Sequence, residues 1–193
     1  MSIPPAGPNI LLIGLRGSGK SAIGARLASR LARPFIDLDQ ATLARLGAPN
    51  VAQAWKSHGQ QAFRAAEADA LRAAMRDSSG AVVALGGGTP TAPGVADHVR
   101  HESRHKRAVV VYLRCTPAEL RRRLTGRLGA DRPSITGKDP LAEMDEVFRF
   151  RDPLYRSLAF AVIEDLSEDE SLARIERVLA PIVGKAGAPQ GPS

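Results

Sequence analysis

The run Gly14-Leu15-Arg16-Gly17-Ser18-Gly19-Lys20-Ser21 fits G-x-x-x-x-G-K-[ST] and lies in the context that gives this pattern its meaning. A strand-like apolar stretch at 10–13 precedes it. A segment with Ile23, Leu27 and Leu31 at helical spacing follows. Glycines let the backbone curl until successive N–H groups point inward, and a helix N-terminus adds partial positive charge to the same spot. Such a cradle suits phosphates, so Gly14, Gly17, Ser18, Gly19, Lys20, Ser21 and Ala22 are the expected contacts to a nucleoside triphosphate. Lys20 is expected to reach the β- and γ-phosphates, and the Ser21 hydroxyl to ligate Mg²⁺. A glycine-rich structural turn is the alternative. The motif predicts a nucleoside triphosphate site but does not choose between kinase, ATPase and GTPase.

The rest of the chain repeats the strand-then-helix alternation. Strands are expected at 10–13, 35–38, 81–85, 108–113 and 159–163, and helices at 18–31, 117–128, 141–157 and 170–183. Thr116 is the expected N-cap of the 117–128 helix, with Pro117 at its first position. That alternation predicts an α/β fold of the P-loop NTPase type, three layers α/β/α around a five-stranded parallel sheet. Residues 40–78 are too long for an ordinary crossover. They read as three helical pieces, broken at 47–49 and 58–59, that build a substrate-binding lobe. Residues 126–139, rich in Gly, Pro, Ser, Thr and charge, are expected to form a mobile lid. The expected domain is 1–183, followed by a disordered Gly/Pro-rich tail at 184–193.

Composition narrows the class. With 193 residues and 44% apolar content, the chain is long enough for one domain with a sizeable core. The net charge of +7 comes mostly from dispersed arginines, and only 4% of residues are aromatic, which argues against nucleic acid and for small anionic ligands. One cysteine, Cys115, excludes an internal disulfide and suits a reducing cytoplasm. No apolar stretch reaches the length of a membrane span, and no signal-peptide core appears near the N-terminus. A cytoplasmic, monomeric protein is the expectation.

A second set of residues points to the acceptor. Asp37 and Asp39 stand at i and i+2, on one side of an extended chain and near the carboxyl ends of the strands, where α/β sheets bind ligands. Asp37 would support Mg²⁺ and Asp39 would accept a hydrogen bond from an acceptor hydroxyl. The alternative is a helix N-cap plus a surface acid. Arg64 and Glu67 are three apart on a helix, so Glu67 can orient the guanidinium to grip a carboxylate. A plain surface ion pair is the other reading. Gly86, Gly87 and Gly88 end the 81–85 strand and would expose backbone N–H groups to a close ligand. No aspartate of the Walker B type ends that strand, which leaves Asp37 as the substitute.

From residue 9 to about 163 these motifs resemble the shikimate kinase family. The P-loop, Asp37 with Asp39, Phe63-Arg64 with Glu67, Gly86–Gly88, Arg132-Pro133, and Arg151 before Pro153-Leu154-Tyr155 occur in the family's order. The resemblance implies transfer of the ATP γ-phosphoryl group to the 3-hydroxyl of shikimate, within aromatic amino acid biosynthesis. It implies Lys20, Asp39 and Arg132 as catalytic groups. Asp39, Arg64, Gly86, Gly87, Gly88 and Arg151 would be the shikimate contacts. Arg123 is similar to the family arginine that packs on adenine, and Arg132 to the lid arginine on the transferring phosphoryl group. Mg²⁺ would be held by Ser21 and, through water, by Asp37. Val51 and Trp55 fall where the family lines its acceptor pocket. Two departures stand out. Gln60 replaces the family's usual Glu, and residues 164–168 are acidic where members often carry a basic adenine loop. The competing readings are a gluconate or nucleotide kinase on the same scaffold, and a non-catalytic ligand sensor.

Overall fold

The computed structural model describes residues 7–125 and 143–183. The expected lid at 126–139, its Arg132, and the tail at 184–193 lie outside the described residues. Five strands, β1 (Asn9–Ile13), β2 (Phe35–Asp37), β3 (Val82–Ala84), β4 (Ala108–Arg114) and β5 (Ala161–Glu164), form one sheet in the order β2-β3-β1-β4-β5. Every pairing is parallel, with Leu11 opposite both Val83 and Val110.

A parallel sheet is covered on both faces, and the period-2 alternation of its strands sorts side chains between two cores. Leu11 and Ile13 of β1 face a core shared with Val83, Leu85, Val110 and Tyr112. Ala68 and Leu71 of α3 (Val51–Asp77), Val95 and Val99 of α4 (Val95–Arg104), and Tyr155 and Leu158 of α6 (Met144–Leu158) close that side. Ile10 and Leu12 face the other way. There Ile23 and Leu27 of α1 (Lys20–Arg30) pack with Leu172, Ile175 and Leu179 of α7 (Glu168–Val183). Among the described residues, α2 (Leu38–Leu46) and α5 (Pro117–Leu124) complete the α-helices. Among the described residues, no helix is long and apolar enough to cross a membrane.

The insertion folds as expected, with its reasons visible. α2 ends at Gly47 in the left-handed conformation, φ 61°. α3 starts under an Asn50 cap that accepts from the Gln53 amide, and it is interrupted at Gly59, φ 79° and ψ 161°. Leu43, Val51, Ala54 and Phe63 give this lobe a small core of its own, with Trp55 packed against it. Val51 is thus part of the lobe's own core. α4 was not legible in the sequence. Its buried face is only Val95, Val99 and Glu102, too thin a stripe to announce a helix.

Candidate functional site

The site lies beyond the carboxyl ends of β1, β2 and β3. After β1 the chain turns through Gly14 to Gly19. Gly19, at φ 90° and ψ 7°, precedes α1 as a left-handed N-cap with no side-chain cap bond. The first-turn amides of α1 consequently have no capping side chain to satisfy them, which makes that helix end a natural anion receptor. Lys20 is mostly buried and folds back over the loop, its Nζ donating to the Leu15 carbonyl at 2.9 Å and lying 3.5 Å from Ser18 Oγ. Ser21 Oγ donates to Asp37 Oδ2 at 2.6 Å. Arg16, Gly17, Gly19, Lys20, Ser21, Ala22, Asp37 and Asp39 line a cleft of about 340 Å³, closed on one side by Gly87 and Leu124.

Asp37 and Asp39 share this cleft, but not as two residues of one extended strand. β2 ends at Asp37, whose carboxylate caps α2 by accepting from the Gln40 amide at 3.2 Å, and Asp39 sits in the first turn of that helix. Both aspartates face the cleft because the chain turns from strand to helix between them, placing the N-terminus of α2 against the P-loop. The helix cap and the acid expected to support Mg²⁺ are the same residue.

A separate cavity of about 440 Å³ is lined by Gln60, Arg64, Thr91, Glu146, Val147, Phe150 and Arg151. Its two arginines come from α3 and α6 and are held differently. Arg64 Nη1 donates to Glu67 Oε2 at 2.5 Å, and Glu67, almost fully buried, also accepts from Thr89 Oγ1 at 2.8 Å. Burial pushes the Glu67 carboxyl above its ordinary range, opposed by the charge and hydrogen bonds of Arg64 and Thr89. The pair that sequence alone could have left as a surface contact is thus an interior one. Arg151 Nη1 donates to the Gly87 carbonyl at 2.9 Å, and the Tyr155 hydroxyl donates to the same oxygen at 2.8 Å. Burial lowers the pKa of Arg151, and it pushes Tyr155 up to about 12, so Tyr155 acts as a neutral donor. Thr89 and Tyr155 received no role from the sequence. Only their partners, 22 and 68 residues away along the chain, give them one.

Gly86, Gly87 and Gly88 join the two cavities, for a steric reason that sequence reasoning missed. A Cβ on Gly86 would lie 2.7 Å from both Glu67 Oε1 and Thr89 Oγ1 and would also strike the Asp39 carboxylate. On Gly87 it would lie 2.9 Å from the Arg16 amide nitrogen of the P-loop, and on Gly88 2.5 Å from the Arg64 guanidinium. Three side chains are absent so that phosphate loop, acid and arginine can crowd one turn.

The arginine run of α5 separates clearly in three dimensions. Arg121 pairs with Asp145, while Arg122 and Arg123 both donate to Glu119, whose carboxyl they hold down to about 2. Arg123 also reaches the Leu166 carbonyl at 3.1 Å, in a cavity of about 530 Å³ with Thr116, Asp165 and Ser167. Of the three arginines, it is the one tied to the loop after β5. The Trp55 ring lies 5.8 Å from the Arg64 guanidinium.

The family model described as Shikimate kinase matches residues 16–180. A shikimate kinase of Dechloromonas aromatica is 36% identical over 156 residues, covering 81% of this chain and 80% of that protein. One from Mycobacterium avium is 39% identical over 152 residues, covering 79% and 81%. A solved shikimate kinase from Acinetobacter baumannii, in complex with shikimate, superposes with a TM-score of 0.79 at 27% identity over 92% of this chain and 96% of that one.

Proposed function

We propose, on the premise that this chain belongs to the shikimate kinase family, how its residues carry the γ-phosphoryl group of ATP to shikimate. The chain is a kinase that phosphorylates shikimate, at the 3-hydroxyl in this reading. The observation that carries the assignment of roles is the placement of Arg64, Arg151 and Asp39 around Gly86–Gly88, directly beside the P-loop.

The loop Gly14–Gly19, Lys20 and Ala22 hold the triphosphate in the cleft, and Lys20 exchanges its bond to the Leu15 carbonyl for phosphate oxygens. Arg123 lies against adenine in the cavity beside Leu166. The donor set suits Mg²⁺: Ser21 and Asp37 offer hard oxygens already paired with each other, with Ser21 as direct ligand and Asp37 acting through water. When bound, the ion neutralises charge on the phosphates.

Arg64 and Arg151 grip the shikimate carboxylate, and the Gly86–Gly88 backbone lets the ring come close. Asp39 orients the 3-hydroxyl and accepts its proton. A loose phosphoryl-transfer transition state needs positioning and charge stabilisation more than a strong base, so one modest carboxylate suffices. Arg132, outside the described residues, is the proposed charge donor to the transferring group. ATP and shikimate are the ligands. Neither nucleic acid nor membrane is a partner, and the working unit is a cytoplasmic monomer.

An ADP-release assay with shikimate, gluconate and a nucleoside monophosphate tests the acceptor, because two guanidinium groups favour a carboxylate. Gluconate, also a carboxylate, lacks the ring that the glycine turn admits. Turnover confined to shikimate is expected. For Arg132→Ala, turnover should fall on the order of 10³-fold with a smaller change in shikimate affinity. Turnover like the wild type would remove that arginine from the transfer step.

A further inference from the structure

The acceptor arginine of α6 is aimed by bonds that its own side chain does not make. Along this helix Arg151 and Tyr155, one turn apart, face Gly87, while Asp152, one turn from Arg156, faces strand β4. Asp152 Oδ1 accepts from Tyr112 Oη at 2.9 Å and from Arg114 Nε at 2.8 Å, and its Oδ2 accepts from Arg156 Nε at 3.0 Å. Tyr112 and Arg114 are two apart in β4, so both project from one face of a strand paired on both sides.

α6 needs such an anchor at this point. Pro153 lies inside the helix, next to Asp152, and removes one backbone hydrogen bond where Arg151 must be placed. The neighbouring turn adds a second tie, with the Arg114 guanidinium 4.9 Å from the Phe148 ring. The Tyr112 ring also meets the Tyr155 ring edge-on, with centroids 5.5 Å apart at 83°. Strand β4 thus touches α6 at Phe148, Asp152 and Tyr155, successive positions around Arg151. Burial works against the Asp152 charge, yet its three donors hold its carboxyl below the ordinary range.

We propose that Asp152 is a positioning residue for the acceptor. By taking the Tyr112 and Arg114 hydrogen bonds it fixes the rotation of α6 and thereby sets where the Arg151 guanidinium stands beside Gly87. This rests on Arg151 gripping the shikimate carboxylate. Asp152 touches no reacting atom, so it acts on affinity for one substrate rather than on the transfer step.

The test compares Arg151→Ala, Asp152→Asn and the double variant, with Tyr112→Phe as a milder probe that keeps the ring on Tyr155. The measurements are KM for each substrate, kcat, melting temperature and shikimate titration of Trp55, the single tryptophan, whose fitted Kd does not depend on the active fraction. Asp152→Asn should raise shikimate KM and Kd about tenfold, with kcat and ATP KM within about twofold. In the Arg151→Ala background it should add less than about twofold, because the group being aimed is gone. Tyr112→Phe should move shikimate KM the same way by about two- to threefold. A lower melting temperature with both KM values unchanged overturns the proposal, as does an equal effect with and without Arg151. If Arg151→Ala leaves shikimate KM unchanged, the carboxylate grip itself is wrong and the proposal falls with it. If Arg151→Ala raises it and Asp152→Asn does not, only the positioning role is lost.

Discussion

The two halves of this site are built by opposite means. The phosphate side is one contiguous turn, Gly14 to Ser21, whose ligand groups are mostly backbone amides fixed by the junction of β1 with α1. The proposed acceptor side draws on side chains of α3 and α6 around the glycine turn after β3, with Arg64 and Arg151 far apart in sequence. A backbone site is as rigid as the fold around it. A side-chain site depends on what holds each side chain, here Glu67 with Thr89 for one arginine and Gly87 with Tyr155 for the other. The halves should therefore fail differently when changed.

The largest effect expected is on the phosphate side. Lys20→Ala should lower kcat by about 10²–10³-fold, as loss of a transition-state charge donor does, while the Trp55 titration with shikimate stays within about twofold. Shikimate affinity falling in step with kcat would mean the halves are not separable. Next, Arg151→Ala should raise shikimate KM by about 10- to 100-fold, the worth of one charge-assisted hydrogen bond of about 1.5–3 kcal/mol. ATP KM should move little, and a matched rise in ATP KM would break the division.

One substitution placed on each side sharpens it further. A Cβ at Gly88 meets the movable Arg64 guanidinium, so Gly88→Ala should raise shikimate KM about tenfold with little change in melting. A Cβ at Gly14 lies 2.5 Å from the Leu113 carbonyl oxygen of β4, which cannot move aside. Overpacking of that kind costs about 1–3 kcal/mol, so Gly14→Ala should lower the melting temperature by several degrees, on the order of 5 °C. Calorimetry beside steady-state kinetics reads both.

The smallest effect separates binding from stability at Glu67. Its carboxyl is raised above 4.5 by burial, so the folded chain holds that proton more tightly than the unfolded chain does. Glu67 therefore favours folding below pH 4.5, and this contribution is lost as pH rises through its folded value. Relative to Glu67→Gln, the wild type should lose melting temperature as pH rises above 4.5. Shikimate binding should run the other way, because a neutral Glu67 holds Arg64 less firmly. The wild-type shikimate KM should rise as pH falls toward the ordinary carboxyl range, with a flat profile in Glu67→Gln. A wild-type KM that is flat over the same range would show that Glu67 does not orient Arg64.

Much of this architecture is legible in the amino-acid sequence alone. The five strands fall within a few residues of where apolar runs place them, and the insertion breaks at Gly47 and Gly59 because glycine there takes left-handed or otherwise non-helical backbone. The P-loop needs only a strand before it and a helix after it. Asp37 and Asp39 are found for a reason that the fold replaces, since an extended chain is expected and a capped helix start is present. α4 escapes because its buried stripe is short. Thr89 and Tyr155 escape because a threonine or tyrosine carries no signal of its role until its distant partner is known.

The order of the motifs, the βα periodicity and the glycine-rich cradle were settled by local rules, which act over a few residues and leave a mark in the sequence. Tertiary packing decided the rest. It buried Glu67 under Arg64, tied Arg123 to the Leu166 carbonyl, and brought Arg151 of α6 to the Gly87 carbonyl. It also tied α6 to β4 through Asp152. These are contacts between segments tens of residues apart, and their worth depends on burial and on a partner's position, which no single stretch of chain encodes.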